Sequence, residues 1–314
     1  MNNENHNTTS AESETHDSHQ HGKSRKKIYF LGAIIIFVIA LFAAITYTYT
    51  FAGNGWKAAV FKNLPLPIAI VGNNPVFGTE YYQRLDVANK IVEAQGLQID
   101  NTEEVVMRQL IDNKALTILA KQKGVTVSEE ELDANLEQIL TSDPTATKEE
   151  IIQSLQDAYG MSIDQFRNQI LKENLLLENL GLWFVSQEQL NQESYNTARN
   201  LLSKIEEGQN FADVAKQYTQ DINSQPFAGD SGFISYQEML PEFKAVVKDL
   251  AINQPTMVAS RSGLHIIMVS AVQEAEDGSL ENKKFQIQQI FIQPSSVDEW
   301  MTSQIDQMRQ IIFI

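Results

Sequence analysis

The sequence predicts an α+β protein in three parts: a single transmembrane helix, a mostly helical region, and a small antiparallel sheet surrounded by short helices. Three observations predict it. From Ile28 to Trp56 no side chain carries a charge. Between residues 58 and 181 apolar residues recur at helical spacing behind repeated helix-start signals. Beyond residue 198, short helical patterns alternate with glycine-containing turns and end on the apolar run SGLHIIMVS, which reads as a strand.

The chain has 314 residues, enough for about two domains. With 40 acidic against 24 basic residues the net charge is −16, which argues against nucleic-acid binding, since that needs a basic footprint. The absence of cysteine excludes disulfides, thiolate metal sites, a cysteine nucleophile and a lipid-modified N-terminal cysteine. The opening stretch MNNENHNTTSAESETHDSHQHG is too polar to bury a core. Residues 1–27 therefore read as a disordered cytoplasmic tail. Its His16, His19 and His21 could hold a metal only loosely, and no metal or cofactor is expected.

The run IYFLGAIIIFVIALFAAITY is about 20 residues long, enough to cross a bilayer core of roughly 30 Å as a helix. Lys23, Arg25, Lys26 and Lys27 precede it and only Lys57 lies close behind it. The positive-inside rule then leaves the N-terminus in the cytoplasm and exports the chain beyond Trp56. Tyr47, Tyr49 and Trp56 suit the far interface. A cleaved signal peptide is the rival reading, but the run is long for one and the site around TFAG is weak. The expectation is an uncleaved anchor over 28–50, with the functional domains outside the cytoplasm.

Residues 58–181 form the helical domain. PIAIVGNNPVFGTEYYQRL reads as a short strand from Ile68 to Val71, a turn at Gly72-Asn73-Asn74, and a helix entered at Thr79. Met107, Ile111, Ala115, Ile118 and Leu119 share one face of a helix ending at Gly124. Ser128 with Glu131, Thr147 with Glu150, and Ser162 with Gln165 each match a capping box. The last helix runs through QFRNQILKENLLLENL to Leu180. A polar stretch, 186–196, reads as a linker or a helix start. Then come a helix from Ala198 to Glu207, a short helix FADVAKQY, the loop DINSQPFAGDSGF, a helix QEMLPEFKAVVKDL, a short strand near Met257 and Val258, and the strand SGLHIIMVS. A final helix from Val297 to Ile312 lies in a C-terminal segment, 295–314.

GQNFADVAKQYTQD, AGDSGFISYQEMLPEFKAVVKDL and SGLHIIMVS occur in the order and spacing of the parvulins, and residues 198–270 resemble that family of peptidyl-prolyl cis–trans isomerases. The helical segment with its VGNNPVFGTEYYQRL opening resembles the N-terminal chaperone domain of SurA-type and PrsA-type exported foldases. Rotation about an X–Pro bond needs no metal, nucleophile or cofactor. It needs an apolar slot for the proline ring and polar groups beside a twisting amide, bound better than the planar one. The resemblance places Met239 and Phe243 in the slot, and their four-residue spacing within the expected helix QEMLPEFKAVVKDL predicts that they share a helix face. Ser262 and His265 match the polar positions leading into the last strand. Asp221 matches a position that is cysteine or aspartate in the family, and Ser260 is a weaker substrate-binding candidate. His265 corresponds to one member of a hydrogen-bonded histidine pair.

The second histidine is missing. A parvulin opens with a strand carrying His-Ile-Leu, and the parvulin-like region here, 182–294, does not. Leu182 to Val185 could be that strand. KKFQIQQIFIQPSS alternates as a strand should and puts Gln289 at the histidine position, so the first strand could instead come from 285–292 as in a circular permutation. The same residues could also open a second, truncated module. Glutamine donates and accepts hydrogen bonds but cannot ionise. Two functions are open: an anchored isomerase acting on exported, unfolded polypeptides with X–Pro bonds, or a chaperone whose parvulin cleft is inactive. The expected partners are these polypeptides and, through one helix, the membrane; nucleic acid is not among them.

Overall fold

The computed structural model describes residues 38–50, 53–96, 100–143 and 145–314. The tail 1–27 and residues 28–37 of the expected membrane helix lie outside the described residues. The described part of that helix, α1 over 38–50, corrects the expectation. Its described residues are helical from 38 to 50. Val38, Ile39, Leu41 and Phe42 are exposed, but the far end of α1 is committed to the folded body. Thr48 is buried, the Tyr49 hydroxyl donates to the Pro67 carbonyl, and the Tyr49 ring meets Phe61 and Phe313 edge-on. Among the described residues no helix is long and apolar enough to cross a membrane. Among the described residues the fold is thus mixed helix and sheet, without the predicted span. An uncharged run measures length alone and does not show that its last turns pack against protein.

The next part of the chain is a helical body. After α2 (Asn54–Asn63), β1 (Pro67–Val71) and β2 (Asn74–Phe77) form a hairpin, and α3 (Gly78–Gln95) and α4 (Thr102–Lys123) pack beneath it. Val106, Met107, Leu110, Ile111, Ala115, Leu116 and Leu119 form the buried stripe of α4, at the three- and four-residue spacing of one helix face. Next come α5 (Glu129–Leu140), α6 (Lys148–Tyr159) and α7 (Ile163–Phe166). Thr147 and Ser162 close full capping boxes, while Ser128 caps α5 through the Glu131 amide alone. One π turn, Arg167–Leu171, joins α7 to α8 (Lys172–Ser186). Residues 182–185 are therefore helix, not strand: Phe184 and Val185 are buried as the last turn of α8.

A second unit is built on a four-stranded antiparallel sheet. Its elements are α9 (Gln192–Glu206), α10 (Phe211–Tyr218), β3 (Asp230–Ser235), α11 (Pro241–Val247), β4 (Pro255–Ser260), β5 (Gly263–Gln273) and β6 (Lys284–Ile292). The strand order is β3-β6-β5-β4, so β6, the last of the four in the chain, is an inner strand. It pairs with β5 from Leu264–Ile292 to Gln273–Lys284. On one face, α9, α10 and the end of α8 bury Leu201, Phe211, Val214 and Phe184 against Leu264, Ile266 and Ile290. On the other, Met239, Phe243 and Val247 pack on Val258, Ile267 and Ile287.

The chain then returns to the helical body. Trp300 on α12 (Val297–Asp306) stacks 5.0 Å from Phe184 and 5.5 Å from Trp183, and Met301 joins Leu116, Leu119 and Leu180. The expected helix to Ile312 stops early, because β7 (Gln310–Ile312) pairs with the open edge of β1. The helical body thus contains both ends of the described chain, and α8 runs unbroken from it into the sheet unit.

Candidate functional site

One face of the sheet, α11 and the loop after α10 enclose a cleft of about 470 Å³. Asp221, Met239, Phe243, Ser262, His265 and Gln289 line it together. Ser260 does not; it is fully buried behind the cleft, where it supports His265. Apart from Ser260, the structure brings the predicted residues together, and it adds ones the sequence did not indicate: Gln220, Ile222, Ile234, Glu238, Leu240 and Phe291. Phe291 was within reach of a sequence signal, since it lies two residues beyond Gln289 on a strand and so faces the same way.

Met239 and Phe243 do not share a helix. Met239 comes after a 3₁₀ turn (Tyr236–Glu238) in extended conformation, and α11 begins only at Pro241. Proline fits the first turn of a helix, having no N–H to donate, and restricts the preceding Leu240 to extended geometry. The two side chains meet because both sink into the core around Val247 and Val258.

His265 is held on both sides. Its Nδ1 lies 3.2 Å from Gln289 Oε1, and its Nε2 lies 2.8 Å from Ser260 Oγ and 3.3 Å from Ser262 Oγ. An amide oxygen only accepts, so with Gln289 oriented this way Nδ1 carries the proton. Nε2 then accepts from the serine hydroxyls. The Ser262 amide N–H donates to Ser260 Oγ, and the two hydroxyls are 2.8 Å apart. The ring stands edge-on to Phe243 at 5.0 Å and tilted to Phe291 at 5.2 Å. Burial pushes its pKa down to about 4, against the opposing pull of the Gln289 hydrogen bond and the carboxylates Glu242 and Asp221. Asp221 is held below the usual carboxylate range by the Ser224 side chain and by the Asn223 and Ser224 amides.

Two glycines let β6 reach the site. Gly229 has φ 78°, its carbonyl accepts from the Gln289 amide at 2.8 Å, and a Cβ there would lie 2.3 Å from the Gln289 carbonyl oxygen. Gly263, at φ 154°, has the Phe291 ring where a Cβ would lie, 2.5 Å away. Among the described residues no group of three or more His, Asp or Glu side chains could hold a metal ion. The arrangement offers an apolar slot with hydroxyl, amide and carboxylate groups at its edge and a neutral imidazole behind them.

Comparison with known proteins bears on both units. Residues 21–181 match the SurA-like N-terminal domain, and residues 161–273 match the PPIC-type PPIase domain. The second match ends before β6. Among the curated relatives, the foldase protein PrsA of Halalkalibacterium halodurans is 24% identical over 215 residues, 57% of this chain and 64% of that protein. PrsA of a Geobacillus species is 33% identical over 104 residues, 32% and 38% of the two chains. The chaperone SurA of Legionella pneumophila is 32% identical over 107 residues, 34% and 25%. The chain thus spans less than two thirds of the length of each of these three. A crystal structure of the peptidylprolyl isomerase PrsA from Bacillus anthracis matches at 20% identity and a TM-score of 0.22, covering 63% of this chain and 86% of that one.

Proposed function

The chain belongs to the SurA-like N-terminal domain family and carries a PPIC-type peptidyl-prolyl isomerase domain, and from that premise we propose that it is a foldase that turns over X–Pro bonds in unfolded, exported polypeptides. The observation that carries the reading is the cleft itself, where Met239, Phe243 and Phe291 offer an apolar slot beside Asp221, Ser262 and Gln289. Amide resonance sets a barrier of about 18–20 kcal/mol to rotation. A slot that grips the proline ring while polar groups meet the twisted amide better than the planar one lowers that barrier by differential binding.

The imidazole does not shuttle protons in this scheme. Both ring nitrogens are engaged within the protein, and the ring is neutral near pH 7 because burial disfavours its charged form. Its role is to orient Ser262 and Gln289. The Gln289 carboxamide accepts from Nδ1 through its oxygen, which leaves its NH₂ group as a donor for a carbonyl in the cleft. First-strand supply from the C-terminal side, as in a circular permutation, accounts for β6 holding the Gln289 position between β3 and β5.

Cis-to-trans relaxation of a set of X–Pro peptides tests this with the full chain. Acceleration should fall at least about tenfold in the Phe243→Leu variant, whose side chain keeps an apolar fill but not the ring. Unchanged turnover there would remove the slot from the mechanism. A second reading, a chaperone without turnover, is favoured by the neutral carboxamide in place of a second histidine. Under it no peptide in the set is accelerated, yet the chain suppresses aggregation of an unfolded client, and Phe243→Leu leaves that suppression intact.

A further inference from the structure

Arg261 sits in the tight turn between β4 and β5, directly between the two serines that approach His265 Nε2. Its guanidinium reaches carboxylates on two separate elements. Nε lies 3.5 Å from Glu242 Oε1 on α11, next to Phe243, and Nη1 pairs with Glu178 on α8. Helix α8 belongs to the helical body along most of its length: Leu175 packs with Leu132 and Leu171, and Leu180 with Leu116 and Leu119. The backbone of α8 also comes close to the turn, since a Cβ on Gly181 would stand 4.0 Å from the Arg261 carbonyl.

Glu242 makes this junction more than a surface ion pair. Its side chain is only 9% exposed, and Oε2 is buried without a hydrogen-bond partner. A carboxylate desolvated to that extent depends on a countercharge held in place. Arg261 is a cation within reach, and the Glu242 charge is close enough to act on His265. At the other end of the junction Arg261 and Glu178 remain partly exposed, 31% and 43%. Exposed pairs of that kind contribute little to global stability, so the link can change geometry without unfolding the protein.

We infer that Arg261 is a positioning residue through which the helical body sets the turnover of the cleft. Glu178 holds one end of the guanidinium; the other end neutralises Glu242 and fixes the Ser260–Ser262 turn against His265. The inference rests on the isomerase reading above for its rate effect, though not for its geometry.

Two readouts on the full chain test it. In peptide isomerisation, Glu178→Gln should lower kcat roughly 3- to 10-fold with KM within about twofold, Arg261→Met should lower it at least as far, and Arg261→Lys should recover part of the loss. The double variant should be no slower than Arg261→Met alone, because both changes break one link. In amide hydrogen exchange, the Ser262 amide, which donates to Ser260 Oγ, should exchange faster in Glu178→Gln, while the amides of β1 do not. Wild-type kcat together with wild-type Ser262 exchange in Glu178→Gln overturns the inference. A wild-type chain that accelerates no peptide defeats the isomerase reading alone, and the Ser262 exchange then decides the coupling by itself.

Discussion

His265 lies in the cleft with both ring nitrogens held, and it makes a prediction in pH. Its pKa falls from an ordinary 6.5 to about 4 because it is buried. Proton uptake sets the sign: between those values the unfolded chain binds a proton that the folded chain refuses, so stability rises with pH across the window. The contribution is complete above about pH 6.5 and is lost as pH falls towards 4, up to roughly 3 kcal/mol. Urea unfolding at steps of pH should show this slope, and His265→Asn should flatten it. If both proteins show the same slope, the ring is not the group responsible. Asp221, Ser262 and His265 were legible because their motif spacing survives along the chain. Glu242 and Arg261 were not, because their roles depend on Glu178, which is remote in sequence and reaches them only through the path of α8. The Met239–Phe243 pair was legible from the motif, but the helix their spacing suggested was not there, because Pro241 placed a break between them.

At the scale of elements, local signals were the readable ones. Ser128, Thr147 and Ser162 cap helices where the sequence placed caps, since a cap is a contact between residues three apart. Strands whose identity depends on a distant partner were not readable. β7 is a strand only because β1 offers an edge, and β3 lies in a polar, glycine-containing loop until β6 pairs with it. Residues 182–185, one of the alternatives for the first strand, instead close α8, because Phe184 and Val185 complete the core under the sheet. Gly229 tests how much β6 depends on close approach. Gly229→Ala puts a methyl group into the Gln289 carbonyl and a side chain on positive φ. A loss of about 2–4 kcal/mol is expected by chemical denaturation, within the range of overpacking and backbone strain combined. A variant as stable as wild type would mean that β6 shifts freely, and the His265–Gln289 distance would then carry no weight.

For the molecule as a whole, the two units are interlocked rather than strung in series. The helical body holds α1 to α8 and takes back α12 and β7, while the sheet unit takes one of its two inner strands, β6, from beyond the last residue of the matched isomerase domain. This predicts different outcomes for two kinds of cut. A single nick in the exposed loop 274–283 should leave both pieces bound, since the β5–β6 ladder and the Trp300 contacts span it. Ending the chain after Gln273 should abolish folding, because it strips β5 of a partner along most of its length. Native electrophoresis after limited proteolysis, beside the shortened chain, separates the cases. Dissociation of the nicked pieces would show that the loop itself, not the packing, holds the units together.

The place of β6 also sets a clock. A chain made from its N-terminus presents β3, β4, β5 and most of the cleft wall before residues 284–292 exist to complete them. Until then one edge of β5 is open, with Leu264, Ile266 and Ile267 on a bare ladder of the kind that pairs with other chains. The protein therefore cannot finish its own cleft while still emerging. The cleft is complete only once residues 284–292 have been made, and during that interval the chain is as vulnerable to aggregation as the polypeptides it would assist.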